Sequence, residues 1–193
     1  MDNTTDTDLV SFTAMADATA EDYVVLDRIE AEELARFPDR VLGWLQVLEE
    51  SSGYHVTRLD HSLQAATRAH RAGEDEEMVV CALLHDIGDY LAPANHSEVA
   101  AAMLRPYVSE RSYWIVKHHG LFQGYYYFHF YGQDRDARDR WKDHPHYQAT
   151  VDFCEYYDQA SFDPAYDAEP LSFFEPMVRR VLHPDRRRSM FED

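Results

Sequence analysis

The sequence predicts an all-α protein that folds as one compact helical bundle. Apolar residues recur at helical spacing along most of the chain, and no strand-rich stretch, internal repeat or Gly-rich phosphate loop interrupts them. At 193 residues the chain can bury one core without disulfides. We therefore expect an N-terminal arm over residues 1–19 and one domain over residues 20–193.

The first helices follow the arm. Residues 1–19 are polar and lack a sustained period, as a mobile arm or a weak helix does. Apolar positions then recur at helical spacing over residues 21–48, with an interruption at Pro38. Because proline cannot continue the hydrogen bonding of a helix interior, we expect two helices here, the second ending at Ser51-Ser52-Gly53.

A third helix is expected to carry His61. Basic residues in its last turns suit the helix dipole, and Gly73 follows at a position that favours left-handed backbone. Asp75 begins the next helix. Residues 78–84 are all apolar, so this helix should be buried at the centre of the fold.

Two helix boundaries are marked by polar caps. Asn95 with Glu98 three residues later predicts a capping box, which opens a short helix that stops near Pro106. Ser109 begins another helix, which we expect to end at Gly120.

Polar residues also occupy apolar helix faces. Ile115 and His119 are four residues apart, so the imidazole can point inward beside an apolar neighbour. Val151, Cys154 and Asp158 share one face of a further helix. Both faces thus bring a possible metal ligand towards the core.

Charge and composition exclude several classes of partner. The formal net charge of −18 repels polyanions, which argues against nucleic acid. An anionic small molecule could still bind beside metal ions and local cations, and a cationic end would be favoured. No stretch approaches the roughly 20 apolar residues of a membrane helix. With a buried thiol expected at Cys81, we predict a cytoplasmic protein, monomeric or a small homo-oligomer, without a membrane partner.

The buried helix ends in His85-Asp86, an imidazole and a carboxylate in an apolar environment. Such groups must be hydrogen-bonded, paired or metal-bound. Adjacent helical residues diverge by about 100°, so the carboxylate could bridge two ions while the imidazole binds one. An isolated His-Asp pair, however, is more often a helix terminus.

Four further residues strengthen the metal hypothesis: His61, His96, His119 and Asp158. Each alone has an ordinary explanation, since a single inward histidine is usually a satisfied core residue and an aspartate near a helix end is usually a cap or solvated. Six such residues on successive helices favour a shared, dinuclear site.

The order of these residues resembles a known family. His61, His85-Asp86 and Asp158 reproduce the H…HD…D pattern of HD-domain proteins over about residues 50–180. His96 and His119 match the dinuclear subgroup. Three segments resemble the mixed-valent di-iron oxygenases of this family that cleave organophosphonates: Asp60-His61-Ser62-Leu63-Gln64, Arg71-Ala72-Gly73 and Leu83-Leu84-His85-Asp86-Ile87-Gly88.

The resemblance implies an HD-domain helical bundle with a dinuclear site in its centre, two iron ions in the Fe(II)/Fe(III) state, and O2 as co-substrate. It implies that His85, His96 and His119 bind one iron, that His61 and Asp158 bind the other, and that Asp86 bridges them. Imidazoles and carboxylates without thiolate also suit iron or manganese.

The implied reaction cleaves the carbon-phosphorus bond of a 1-hydroxyalkylphosphonate. Segments 122–126, 157–159 and 174–180 resemble a branch often described only as HD phosphohydrolases. Within that branch the resemblance is to an oxygenase that acts on 1-hydroxy-2-(trimethylammonio)ethylphosphonate. That substrate would give phosphate and glycine betaine.

Two positions depart from the family pattern. Asp89 replaces a histidine that lies near the phosphonate, and Gln123 replaces a lysine. As an anion, Asp89 faces solvent, orients a ligand imidazole or meets a cationic substrate end. We therefore nominate other phosphonate contacts, although each arginine could instead pair with a nearby acid: His129, Arg135 and Arg138, with Arg58 and Lys117 behind them.

Aromatic residues could receive a cationic substrate end. Tyr54 stands where a relative has an acidic residue that contacts a primary amine, and an aromatic face attracts a quaternary ammonium. Residues 125–131 offer more rings, though they could instead pack the core or a subunit interface. Since a helix spreads consecutive residues over all its faces, we expect at most two or three of them to line a pocket.

Two other functions share this skeleton. A metal-dependent phosphohydrolase would use the same ions to activate water against a phosphoester or nucleotide. A non-catalytic HD module would bind a metal or ligand for regulation.

Overall fold

The computed structural model describes residues 9–50 and 53–189, and these form helices and turns without a strand. The predicted all-α class is confirmed. Predictions for residues 1–8, 51–52 and 190–193 lie outside the described residues. The α-helices are α1 (Ala20–Val47), α2 (Arg58–Arg71), α3 (Glu76–Leu84), α4 (His96–Leu104), α5 (Glu110–Gln123), α6 (Tyr147–Phe153) and α7 (Leu171–Val181).

Helix α1 is one continuous helix where the sequence predicted two. Pro38 lies inside it and is buried. A proline removes one hydrogen bond from a helix, and packing can compensate for that loss. Val41, Leu42 and Leu45 in the following turns are buried in the core. The prediction was wrong because it judged the helix by its local hydrogen bonds alone.

The described part of the N-terminal arm is tied to α1. The Asp22 carboxylate accepts hydrogen bonds from the backbone N–H and hydroxyl of Ser11, at 2.6 and 3.1 Å. It also accepts from the backbone N–H and hydroxyl of Thr19, at 2.9 and 2.8 Å. These bonds lower the pKa of Asp22 to about 2. A short 3-10 turn, Met15–Asp17, lies between the two contacts.

Helix α3 forms the centre of the bundle, as its apolar composition predicted. Its side chains from Met78 to Leu84 are at most 1% exposed. Helices α2, α5 and α7 pack around it. Asp75 caps the helix by accepting from the backbone N–H of Met78 at 2.8 Å. The His-Asp dipeptide therefore directly follows a helix that is almost completely buried.

The boundaries of α4 and α5 differ from the prediction. Asn95 is the N-cap of α4, but its side chain makes no capping hydrogen bond, so the expected capping box is absent. Helix α5 continues through Gly120 to Gln123. A Cβ atom on Gly120 would lie 2.7 Å from the Ser97 hydroxyl. The glycine thus permits close packing of α4 on α5 and does not end the helix.

A π-helical turn, Cys154–Asp158, follows α6 where the sequence predicted an ordinary helix. The backbone N–H of Gln159 donates to the Cys154 carbonyl at 2.9 Å, five residues back. Such turns rotate the following side chains relative to an α-helix and are frequent at functional sites. Within the described ranges, no helix is long and apolar enough to cross a membrane.

Candidate metal centre

Six polar side chains from five elements converge beside the C-terminal end of α3. They are His61 on α2, His85 and Asp86 after α3, His96 at the start of α4, His119 on α5 and Asp158 in the π-helical turn. Five of the six residues are at most 9% exposed, and the His96 side chain is 26% exposed. The sequence singled out all six.

Asp86 lies between two sets of imidazoles. Its Oδ2 atom is 3.5 Å from Nε2 of His61 and 3.6 Å from Nε2 of His85. Its Oδ1 atom is 3.1 Å from Nε2 of His119 and 3.4 Å from Nε2 of His96. One carboxylate therefore presents one oxygen to each set, as a ligand that bridges two cations does.

Asp158 completes the first set. Its Oδ1 atom is 3.3 Å from Nε2 of His61 and 3.7 Å from Nε2 of His85. The two imidazole Nε2 atoms are 3.1 Å apart. In the second set, the Nε2 atoms of His96 and His119 are 3.3 Å apart.

This arrangement differs from the predicted division of the ligands. His85 was expected to share an ion with His96, but it lies with His61 and Asp158. Among the described residues, three overlapping trios have ligand atoms within 4.8 Å of one another, and none contains both His85 and His96. Around the two oxygens of Asp86, His61 and His85 lie on one side and His96 and His119 on the other. One of the three trios, His85, His119 and Asp158, joins the two sides.

Backbone carbonyls fix the tautomers of three imidazoles. The Nδ1 atoms of His61, His85 and His119 lie 3.0, 2.8 and 2.7 Å from the carbonyl oxygens of Ser161, Ala82 and Val116. A neutral imidazole that donates from Nδ1 has a lone pair on Nε2. When both rings are neutral, the Nε2 lone pairs of His61 and His85 face each other at 3.1 Å, and a cation that replaces the proton between them would stabilise this arrangement.

The electrostatics of the centre also suit cations. Burial lowers the pKa of His85, but the charges of Asp86 and Asp158 outweigh it and raise that pKa to about 9. Burial opposes ionisation of both carboxyl groups, yet the neighbouring imidazoles hold their pKa values below the usual range. The Oδ2 atom of Asp158 is buried and has no hydrogen-bond partner. The donor set therefore fits a pair of iron or manganese ions.

The two positions that depart from the family pattern contact the centre. The Asp89 side chain is 6% exposed, and its Oδ1 atom is 3.1 Å from Nδ1 of His96. Of the three roles considered for Asp89, orienting a ligand imidazole matches this contact. The Gln123 amide donates to Oδ1 of Asp158 at 3.1 Å.

A cavity of about 590 Å³ opens onto these residues. Six aromatic side chains line it: Tyr54, Tyr126, Tyr127, Phe130, Tyr131 and Phe162. Four of them come from residues 125–131, more than the two or three expected. The segment forms two 3-10 turns, Gly124–Tyr126 and Phe128–Tyr131, so its rings are not spread around one helix.

The cavity lining includes Tyr54, Arg58, Asp89 and Gln123, but not the other nominated phosphonate contacts. Arg135 and Arg138 lie over the Tyr125 ring, at 4.2 and 3.9 Å from its centroid. Both arginines thus pack on a ring that does not line the cavity, and their contact with a phosphonate stays a prediction.

His129 and Lys117 are also absent from the cavity lining. His129 is exposed, with its ring 4.0 Å from that of Phe130. Lys117 lies 5.7 Å from the centroid of Tyr113.

Phe162 is a residue of the site that the sequence did not reveal. Its ring stacks on that of His61 at 4.4 Å and contacts the Tyr54 ring at 4.8 Å. It lies in a loop, where apolar periodicity gives no signal. Its position in the sequence carried no information about His61, which lies 101 residues earlier.

Comparison with known proteins gives two findings. Residues 58–158 match the family model described as HD domain. A 42-residue segment is 52% identical to [1-hydroxy-2-(trimethylamino)ethyl]phosphonate dioxygenase (glycine-betaine-forming) from Leisingera caerulea. This segment covers 22% of the chain and 21% of that relative, so the chain matches about a fifth of the relative's length.

Proposed function

The chain belongs to the HD-domain family, and from this premise we propose that it is an iron-dependent oxygenase that cleaves the carbon-phosphorus bond of a 1-hydroxyalkylphosphonate. The substrate is 1-hydroxy-2-(trimethylammonio)ethylphosphonate, and the products are phosphate and glycine betaine. One atom of O2 enters the carboxylate and the other enters phosphate, so the reaction needs no further oxidant or reductant.

The observation that carries this proposal is the position of Asp86 between two sets of ligands. Its two oxygens lie 3.1 to 3.6 Å from four imidazole nitrogens, which suits two adjacent ions. The similarity of the 42-residue segment to a phosphonate dioxygenase supports oxygenase chemistry on a phosphonate.

Two iron ions held by the six residues would supply Lewis acidity and the redox chemistry by which O2 is used. The side chains and backbone of the protein orient the imidazoles and shape the environment of the ions. Carbonyl acceptors hold the imidazoles of His61, His85 and His119 in the tautomer that binds a cation. Phe162 covers one face of the His61 ring and restricts water there.

The cavity supports a substrate with a cationic end. Aromatic faces attract a quaternary ammonium, which has no N–H to donate to a carboxylate. Tyr54, Tyr127, Phe130 and Tyr131 line the cavity and are each at least 40% exposed, so their rings are available to a ligand. The volume of about 590 Å³ also lies in the usual range for small-molecule sites.

Aerobic turnover tests the proposal. Protein produced with iron is incubated with 1-hydroxy-2-(trimethylammonio)ethylphosphonate while O2 uptake and the phosphorus NMR spectrum are recorded. We expect one O2 consumed for each phosphate released, with glycine betaine formed in the same amount. The R71Q variant, altered on the outer surface of α2, is the matched control and should turn over normally.

The same assay distinguishes the proposed oxygenase from a metal-dependent phosphohydrolase. A metal-dependent phosphohydrolase would release phosphate from phosphoesters with manganese and without O2. Phosphate release that continues under anaerobic conditions would therefore overturn the oxygenase proposal. Absence of turnover with any phosphonate or phosphoester would favour the non-catalytic alternative.

A further inference from the structure

Asp89 is a buried carboxylate whose two oxygens hold two different groups. Oδ1 lies 3.1 Å from Nδ1 of His96, and Oδ2 accepts a hydrogen bond from Nη1 of Arg58. The side chain is 6% exposed. A buried carboxylate requires such partners, and here they are a proposed metal ligand and a cation.

The approach of Asp89 to His96 depends on the residue before it. A Cβ atom on Gly88 would lie 2.4 Å from the backbone carbonyl oxygen of His96. Only a residue without a side chain allows the turn after α3 to lie this close to the start of α4. Gly88 thereby places the Asp89 carboxylate beside the His96 ring.

Arg58 stands out by its position in an acidic protein. Among the described residues that line the cavity, it is the sole lysine or arginine. Its Nη1 atom makes the contact with Asp89 and lies 4.0 Å from Oδ2 of Asp86, at the metal-ligand end of the cavity. A guanidinium carries five N–H donors, so donors remain for a ligand oxygen.

We propose that Arg58 binds the phosphonate group of the substrate and that Asp89 is the positioning residue that couples this anchor to His96. The proposal rests on the proposed function, which it deepens. The anionic end of the substrate then lies between Arg58 and the ions, and its cationic end lies toward the exposed rings. One orientation of the substrate in the cavity follows from this charge distribution.

Arginine suits this role because its planar fork matches a phosphonate oxygen pair. The tether to Asp89 fixes the guanidinium before the ligand arrives, which lowers the entropic cost of binding. It also leaves Nδ1 of His96 with a carboxylate partner, the arrangement that orients imidazole ligands in metal proteins.

Anion binding without turnover tests the anchor. Methylphosphonate, which lacks the hydroxyl group of the substrate, is titrated calorimetrically into the iron-loaded protein under anaerobic conditions. For R58Q we expect the dissociation constant to rise about tenfold or more, the usual loss for a hydrogen-bonded charge pair. The control R71Q removes the same charge from the same helix, where Arg71 pairs with Glu169 at 3.4 Å, and should bind as the wild type does.

The proposal that Arg58 binds the phosphonate would be refuted if R58Q and wild type bound methylphosphonate equally well. It would also be refuted if R58Q and R71Q lost the same affinity. If R58Q fails to fold or to hold iron, R58K decides: weaker methylphosphonate binding supports the proposal, and unchanged binding refutes it. Arg58-dependent binding without O2 uptake would remove the proposed oxygenase but keep the anchor. Normal turnover with an unchanged KM in R58Q would remove the anchor but keep the proposed oxygenase.

Metal affinity tests the positioning role of Asp89. Iron content after dialysis against a graded chelator series is measured for D89A and D89N. We expect D89A to bind its more weakly held iron about 10-fold to 100-fold less tightly, the usual effect of removing a carboxylate behind a histidine ligand. D89N should recover part of this affinity through its amide oxygen. Wild-type iron retention in D89A would refute the coupling.

Discussion

Tyr54 and Phe162 form one aromatic side of the cavity, with ring centroids 4.8 Å apart. Tyr54 is 59% exposed, so one face remains open to a ligand. A ring in this position can attract a quaternary ammonium and offers little to a primary amine, which prefers a hydrogen-bond acceptor.

Replacing Tyr54 with alanine should therefore separate two substrates. We expect kcat/KM to fall about fivefold for 1-hydroxy-2-(trimethylammonio)ethylphosphonate, from the loss of a cation-π contribution of about 1 kcal/mol. The fall should be smaller for the corresponding primary amine. Y23A, which removes an exposed tyrosine from α1, serves as the control. Equal losses for both substrates would count against the aromatic contact.

At the residue scale, the sequence identified the side chains that converge but not how they are grouped. Residue type and position at helix ends were enough to select His85 and Asp86. The distances around Asp86 place His85 beside His61 rather than beside His96, a tertiary arrangement that no local sequence pattern contains. Arg135 and Arg138 lie over the Tyr125 ring, a tertiary contact that the sequence pattern did not predict.

At the element scale, irregular turns position several side chains of the site. The π-helical turn at Cys154–Asp158 sets the direction of Asp158, and two 3-10 turns present the rings of residues 124–131. Apolar periodicity predicted an α-helix at Cys154–Asp158, because a single extra residue in a helical turn leaves the apolar pattern almost unchanged. It did predict α2 and α3, whose boundaries are marked by Gly73 and Asp75.

The turn between α3 and α4 can be tested through its glycine. G88A should destabilise the protein by about 1–3 kcal/mol, because the added methyl group would overlap the His96 backbone and force it to shift. G43A is the matched control in α1, with no atom within 4 Å of the added Cβ. It should stabilise the protein by about 0.5–1 kcal/mol. Chemical denaturation of both variants measures the difference, and a stable G88A would contradict the close approach.

The start of α1 predicts a pH dependence. Because hydrogen bonds from Ser11 and Thr19 hold the pKa of Asp22 at about 2, below its ordinary value of 3.8, the folded state favours the charged carboxylate. Its contribution to stability is complete above the ordinary pKa and is lost as the pH falls through about 2. The stability difference between wild type and D22N, measured by urea unfolding, should be constant above pH 5 and shrink below pH 4. A difference independent of pH would exclude this role.

At the scale of the whole molecule, the bundle brings distant segments to one place. His61 and Asp158 are separated by 97 positions in the sequence, yet their ligand atoms lie 3.3 Å apart. The fold class and the buried α3 followed from composition and period. The division into an arm over residues 1–19 and one domain over residues 20–193 stays a prediction, as do the cytoplasmic location and the oligomeric state.

The central claim is that four imidazoles and two carboxylates hold a pair of iron ions bridged by Asp86. Metal analysis of protein purified after growth with iron tests it most directly. We expect two iron ions per chain in the wild type and almost none in H85A or D86A, with R71Q retaining both. A wild-type protein that binds neither iron nor manganese, or a D86A variant that keeps two iron ions, would contradict it.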